Sequence, residues 1–170
     1  QKEELVLVAD IGGGTSDFSV IRLAPERQKN AQRASDVLAT GGIHLGGTDF
    51  DQRLNLAEVM PLLGHRHVGP LGREVPSAVF HDLATWHLIH WQYQPRAIAQ
   101  AQALRTNYSD PVLHQRLMRV LQDKQGHHIA HEVEQAKIRA SVQDADTAVD
   151  LDVVEAGLSA ALGPAALHEH

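Results

Sequence analysis

Val8-Ala9-Asp10-Ile11-Gly12-Gly13-Gly14-Thr15-Ser16-Asp17-Phe18-Ser19-Val20 is the stretch on which the fold turns. Apolar residues flank it, Leu5 to Val8 before and Phe18, Val20 and Ile21 after, and three consecutive glycines interrupt them. A chain of this pattern runs out along one strand, turns, and returns along the next. The turn suits close approach: glycines carry no Cβ, can take positive φ, and let backbone N–H groups converge on an anion, while Thr15 adds a hydroxyl donor. Phosphate is the anion that fits best. Asp10, at the end of the first strand, would stand beside it, and a carboxylate next to bound phosphates usually serves a divalent cation or its waters. The competing reading is a hairpin whose glycines only satisfy turn geometry. Asp before and Thr-x-Asp after favour phosphate. This is not a Walker loop, because no Gly-Lys-Ser/Thr follows and the glycines lead into a strand rather than a helix.

Working outward, residues 4–10 and 17–23 read as the two strands, 25–33 as a polar connection, and 34–40 as a third strand of the same sheet. Gly41, Gly42, Gly46 and Gly47 mark a second tight loop, with His44 and Leu45 as a plug that fixes it or as packed structural residues. Asp49 or Thr48 can cap a helix carrying Phe50, Leu54, Leu56 and Val59 or Met60 on its apolar side. Residues 61–72 are loop-like. Helical periodicity resumes at Pro76 with Val79, Phe80, Leu83 and Trp86, and again over 96–106 through Ile98, Ala101 and Leu104. Ser109-Asp110-Pro111 starts the next helix, which buries Val112 or Leu113, Leu117, Val120 and Leu121 and ends at Gly126. In the helix over 127–141, Ile129, Val133, Ala136 and Ala140 form the packed side, and Glu134, Lys137 and Ser141 share another face. Spacing alone makes that second face an ordinary solvated one. Alternation over 147–153, a turn at Glu155-Ala156-Gly157 and a return through Leu158, Ala160 and Leu162 describe a hairpin, after which Gly163-Pro164 opens a further helix.

The 170 residues make one domain or two small lobes, and 43% hydrophobic content is enough for a core. A formal charge of −6 without blocks of like charge argues against a nucleic-acid footprint. The absence of cysteine excludes disulfides and thiolate metal sites and fits a cytoplasmic location. No apolar run reaches membrane-spanning length, and no signal pattern opens the chain. A start at Gln-Lys-Glu-Glu directly before a buried-type strand reads as an excerpt from a longer protein.

Asp10-Ile-Gly-Gly-Gly-Thr-Ser-Asp17, then Ala39-Thr-Gly-Gly-Ile-His-Leu-Gly-Gly-Thr-Asp-Phe-Asp51, then Glu134-Gln-Ala-Lys-Ile-Arg-Ala-Ser141 resemble, in that order, three signatures of the seventy-kilodalton heat-shock chaperones. They span about residues 4 to 163. The resemblance implies an α/β (here α+β) excerpt of an actin-like, ribonuclease-H-like ATPase lobe: a partial phosphate-binding lobe over 1–46, an inserted, mainly helical subdomain ending in a β-hairpin over 47–162, and the start of a returning helix over 163–170. It implies ATP or ADP with Mg²⁺ as ligands. Gly12, Gly13, Gly14 and Thr15 would bind phosphate, Asp10 would hold Mg²⁺ through water and serve as the catalytic positioning residue of the parent, and Gly46 and Gly47 are candidate nucleotide contacts, although glycines that merely shape the junction fit equally. Glu134 and Lys137 would reach the ribose and Ser141 the adenine. Ser16, where typical members carry Phe, Thr48, where they usually carry Glu, and the long stretch from 61 to 108 resemble a divergent, YegD-type branch.

On this resemblance the chain is a nucleotide-binding fragment of a chaperone ATPase, itself with little or no hydrolysis. Its partners would be nucleotide, an exchange factor or co-chaperone on the inserted lobe, and a client polypeptide bound elsewhere in the parent, with no nucleic acid and no membrane. The alternative is a nucleotide-independent docking scaffold; a sugar-kinase lobe of the same superfamily ranks below it, for want of the Glu-x-x-Lys-x-x-x-Ser helix. Twelve histidines invite a metal site, with His65 and His67 in a loop and His127 and His131 one helical turn apart. His131-Glu132 begins like a zinc-protease motif, but Gln135 breaks it and no third ligand converges, so surface histidines are the expectation.

Overall fold

The computed structural model describes residues 3–27, 32–143, 145–163 and 165, the side chain of Gln143 excepted. The chain is α+β and falls into two compact units, Gln1–Asp49 and Phe50–His170.

The first unit is an antiparallel sheet in the order β1 (Glu4–Ile11), β2 (Ser16–Leu23), β3 (Val37–Ile43). Ile11 pairs with Ser16 and Asp10 with Asp17, which leaves Gly12 to Thr15 as a four-residue connection. The third strand starts later than its apolar pattern predicts. Residues 34–36 form a 3-10 turn because the Asp36 carboxylate, 3% exposed, turns inward between Arg27 and Arg33, with Arg33 Nε 2.7 Å away. Both guanidinium groups hydrogen-bond the carboxylate and hold its pKa below the ordinary value. Of the polar connection before it, residues 28–31 lie outside the described residues. Among the described residues of this unit no hydrophobic side chain is buried: Leu5, Leu7 and Ile11 stay about two-thirds exposed, and Phe18, Leu23 and Ile43 are exposed as well.

α1 (Gly47–Leu54) leads into the second unit. Neither Asp49 nor Thr48 stands at the cap position, because both lie inside the helix; Asp49, its third residue, reaches back so that its carboxylate accepts the Gly46 N–H at 2.8 Å while its own N–H donates to the Gly46 carbonyl at 3.1 Å. The helix widens into a π-turn over Asn55–Val59 and tightens into a 3-10 turn over Met60–Leu63, which bury Val59, Met60 and Leu63. α2 (Ala78–Ala84), α3 (Pro95–Ala103), α4 (Pro111–Gln122) and α5 (Gly126–Gln143) follow, then the antiparallel pair β4 (Thr147–Asp150) and β5 (Ser159–Leu162). Phe80, Leu83, Ile89, Leu117, Leu121, Ile129, Val133, Leu151 and Leu162 are all buried in one cluster.

Asp110 caps α4 as its sequence indicates, accepting the Val112 N–H at 2.9 Å. Gly126 does not end α4. The helix stops at Gln122, Lys124 takes φ 56°, and Gly126 opens α5 where a methyl group would stand 2.7 Å from Ile89 Cγ2 and 2.8 Å from the Tyr93 hydroxyl. α2 stops before Trp86, which is exposed instead of packed. In the hairpin, the chain between the strands makes a helical turn that buries Leu151 and Val154, so β4 is shorter than the alternation implies. The helix expected after Gly163 lies outside the described residues, save Ala165.

Candidate functional site

The first set of candidate residues is the glycine connection of the sheet unit. Gly12 N–H donates to Thr15 O at 2.8 Å and closes the turn. The second glycine loop docks on it through Gly47 N–H to Gly12 O (3.1 Å) and through the Thr48 N–H and hydroxyl, both to Gly13 O (2.8 and 2.7 Å). Gly46 is the point of closest approach, since a methyl group there would lie 2.5 Å from Gly13 C and 2.6 Å from Gly14 N. Ser16, 7% exposed, ties the loop down by donating its hydroxyl to Leu45 O at 2.7 Å. His44 is exposed rather than packed.

Gly12, Gly13 and Gly14 do not take the positive φ expected of them; among the described residues Gly64, Gly72 and Gly157 do. A Cβ at Gly13 would meet nothing nearer than Thr48 Cγ2 at 3.8 Å, and at Gly14 nothing within 4 Å. Neither conformation nor packing therefore requires glycine at these two positions. Their exposed amides also have no hydrogen-bond partner among the described residues. The Thr15 hydroxyl, expected as an anion donor, donates to Asp17 Oδ2 at 3.1 Å. Asp17 lies directly opposite Asp10 in the strand register, so the two carboxylates share one face of the sheet. Gly42 makes room for Asp17, whose Oδ1 a methyl group would overlap.

The second set lies on α5. Ile129, Val133, Ala136 and Ala140 are buried as their spacing indicates. Lys137 Nζ pairs with Asp51 Oδ1 at 2.7 Å, each side chain about one-fifth exposed. Burial pushes the Asp51 carboxyl up from its ordinary pKa, with Lys137 pulling it down and Glu134 adding to the rise. Glu134 is half exposed and 3.8 Å from His131 Nδ1. The Ser141 hydroxyl donates back to Ile138 O at 2.9 Å. Ile138 and Val142 stay exposed, one helical turn from Glu134 and Ile138 respectively, so this face mixes polar groups with apolar surface.

Not all histidines are surface residues. His65 is buried against Phe80 and bonds Leu56 O at 3.1 Å, with burial lowering its pKa, and His114 is buried with Nε2 3.0 Å from Ala101 O. Among the described residues no group of three or more His, Asp or Glu is placed to hold a metal.

With the glycine connection in view, its relatives become informative. Residues 1–59 match the family model described as Hsp70 protein. The chaperone protein DnaK of Thermotoga petrophila and that of Thermotoga maritima are each 50% identical to this chain over 54 residues, 31% of this chain and 8% of the relative. DnaK of Thermotoga neapolitana is 48% identical over 54 residues. The aligned stretch is thus under a tenth of these chaperones' length. The similarity over residues 1–59 is thus to Hsp70 proteins and does not support the YegD-type branch, and the α+β architecture is consistent with a fragment of an Hsp70 actin-like lobe. The family match ends before Glu134, Lys137 and Ser141.

Three further contributors, Ser16, Asp17 and Asp51, were given no role of their own at the sequence level. Ser16 stood out only as a departure from a family pattern. Asp17 was legible, because a four-residue connection closed on Ile11–Ser16 puts residue 17 opposite residue 10. Asp51 carried no signal, since its partner lies 86 positions along the chain.

Proposed function

We propose that this chain is part of the nucleotide-binding region of a heat-shock chaperone-like ATPase, with one phosphate turn and one wall of the adenosine pocket. The observation that carries the reading is the pair Gly13 and Gly14: two exposed residues whose amides have no hydrogen-bond partner among the described residues and whose missing side chains the described fold does not require. Such amides stabilise phosphate charge without having to reorganise. Gly12, Thr15, Gly46 and Gly47 complete the turn that aims them. Glu134 and Lys137 would hold the ribose, Ser141 the adenine, and exposed Ile138 and Val142 supply apolar surface on the same helix.

The donors fit Mg²⁺. Asp10 and Asp17 offer hard oxygen ligands on one sheet face, and two carboxylates suit an ion that keeps most of its waters. When bound, Mg²⁺ neutralises phosphate charge. Asp10 accepts hydrogen bonds from water and so orients it, while Asp17, fixed by Thr15, keeps the face acidic. Hydrolysis, client binding and a cytoplasmic location belong to the parent under this reading. Under this reading a partial phosphate-binding lobe would cover 1–46, an inserted subdomain 47–162 and the start of a returning helix 163–170.

Gly13→Asp in the full-length parent tests it. The expected result is at least tenfold weaker Mg-ATP binding by calorimetry with an unchanged fold, because a carboxylate would stand where phosphate charge belongs; unchanged affinity would overturn the phosphate assignment. A second reading, an exchange-factor or co-chaperone docking scaffold, is favoured by Trp86 and Trp91, 59% and 58% exposed. If neither Gly13→Asp nor Lys137→Ala alters nucleotide affinity while Trp86→Ala abolishes partner capture, the scaffold reading stands. A sugar-kinase lobe has no observation of its own.

A further inference from the structure

Between α3 with its trailing 3-10 turn (Leu104–Asn107) and α4 runs an open trough of about 610 Å³. Its α4 wall is a single helical stripe, Pro111, Gln115, Met118, Arg119 and Gln122, spaced so that all five face the same way. Gln102 and Arg105 form the facing wall, with Tyr108 and the buried His114 at the base.

Two features set the trough apart from the rest of the surface. The chain carries a formal charge of −6, yet residues 95–122 contain Arg96, Arg105, Arg116 and Arg119 against Asp110 alone. Among the residues lining the trough the only acid is Asp123 at the end of α4, and Glu155, outside it, is close enough to Arg119 for the two charges to interact. The second feature is a set of uncommitted hydrogen-bonding side chains. Arg105, Gln102, Gln115 and Gln122 make no side-chain hydrogen bond among the described residues, whereas Arg119 is anchored at one end, donating from Nη1 to Val154 O at 2.7 Å. An anchored guanidinium keeps its other N–H groups for an incoming carboxylate.

We propose that this trough binds an extended acidic peptide segment, with Arg105 and Arg119 receiving its carboxylates and Gln102, Gln115 and Gln122 its main-chain amides. Carboxylates match guanidinium forks, primary amides match peptide groups as both donor and acceptor, and an open trough takes a strand more readily than a compact ligand. Met118 and Pro111 supply the apolar floor for the peptide's aliphatic stems. The site is independent of the nucleotide reading.

The test is fluorescence anisotropy on this chain with a labelled Gly-Glu-Gly-Glu-Gly-Glu peptide, its Gly-Lys counterpart, and inorganic phosphate as competitor. The acidic peptide should bind and the lysine peptide should not. Arg105→Ala, which removes no side-chain hydrogen bond or ion pair among the described residues, should weaken binding roughly tenfold, and Gly13→Asp should leave it unchanged. No binding of the acidic peptide, equal binding of the lysine peptide, or an indifferent Arg105→Ala would overturn the proposal. So would phosphate competing as tightly as the peptide itself, which would mark an anion site without peptide recognition, or loss of peptide binding in Gly13→Asp.

Discussion

The two units of this chain solve the folding problem in different ways. Phe50–His170 holds every buried hydrophobic side chain among the described residues, from Leu54 to Leu162, in one cluster. Among the described residues Gln1–Asp49 holds none; there its buried side chains are Ser16 and Asp36, and its cohesion comes from strand pairing, the loop-to-loop hydrogen bonds at Gly13 and the Arg27–Asp36–Arg33 cluster. The difference teaches that sequence similarity and packing stability are separable. The family match covers the unit that lacks a core, and the unit with the core lies almost entirely beyond it. A core accepts many apolar sets of the right volume, so its sequence can vary while its packing holds.

The sharpest way to break this contrast is to truncate one large apolar residue in each unit. Phe80→Ala should cost about 3–5 kcal/mol in urea unfolding, as a buried aromatic leaves a cavity, and Leu7→Ala should stay within about 0.5 kcal/mol, because Leu7 is already mostly in water. A Leu7 effect as large as that of Phe80 would mean that the sheet has a hidden core. Next in size is the glycine contrast inside the first unit. Gly46→Ala should cost about 1–3 kcal/mol through overlap with the Gly13 backbone and accelerate hydrogen exchange at Gly47 and Thr48, while Gly14→Ala should leave exchange unchanged.

The smallest expected effect is in acid, where the units should respond with opposite sign. Asp36 has its folded pKa below the ordinary 3.8, so its stabilisation is full at neutral pH and fades as pH falls from that value through the folded one. Asp51 has its folded pKa above 3.8, so its burial costs stability at neutral pH and the cost lifts as pH falls through that raised value. Carboxyl NMR titrations should show Asp51 protonating before Asp36; the reverse order would undo the contrast.

Much of the fold was legible because it follows from short-range rules. Apolar runs on either side of Gly12 to Gly14 located β1 and β2, and spacing of three and four identified the buried face of α5, since both depend on neighbours a few residues away. Asp110 was readable as a cap for the same reason. Gly126 misled because its role is to admit Ile89 and Tyr93 rather than to end a helix. The start of β3 misled because Arg27 and Arg33 draw the Asp36 carboxylate inward, an ionic cluster that an apolar strand pattern does not register. At the candidate site, the glycine turn was legible as a turn; that positive φ is not its reason for glycine was not.

The sequence by itself determined the hairpin around the glycines, the run of amphipathic helices and, in the glycine stretch, the likeness to a chaperone family, because each is written in local pattern. Only the tertiary structure decided that Lys137 meets Asp51, that Gly46 presses on Gly13 while Gly14 stays open, and that Arg105 and Arg119 line one trough. Those facts depend on which distant surfaces the backbone brings within a few ångströms, and no local pattern encodes that.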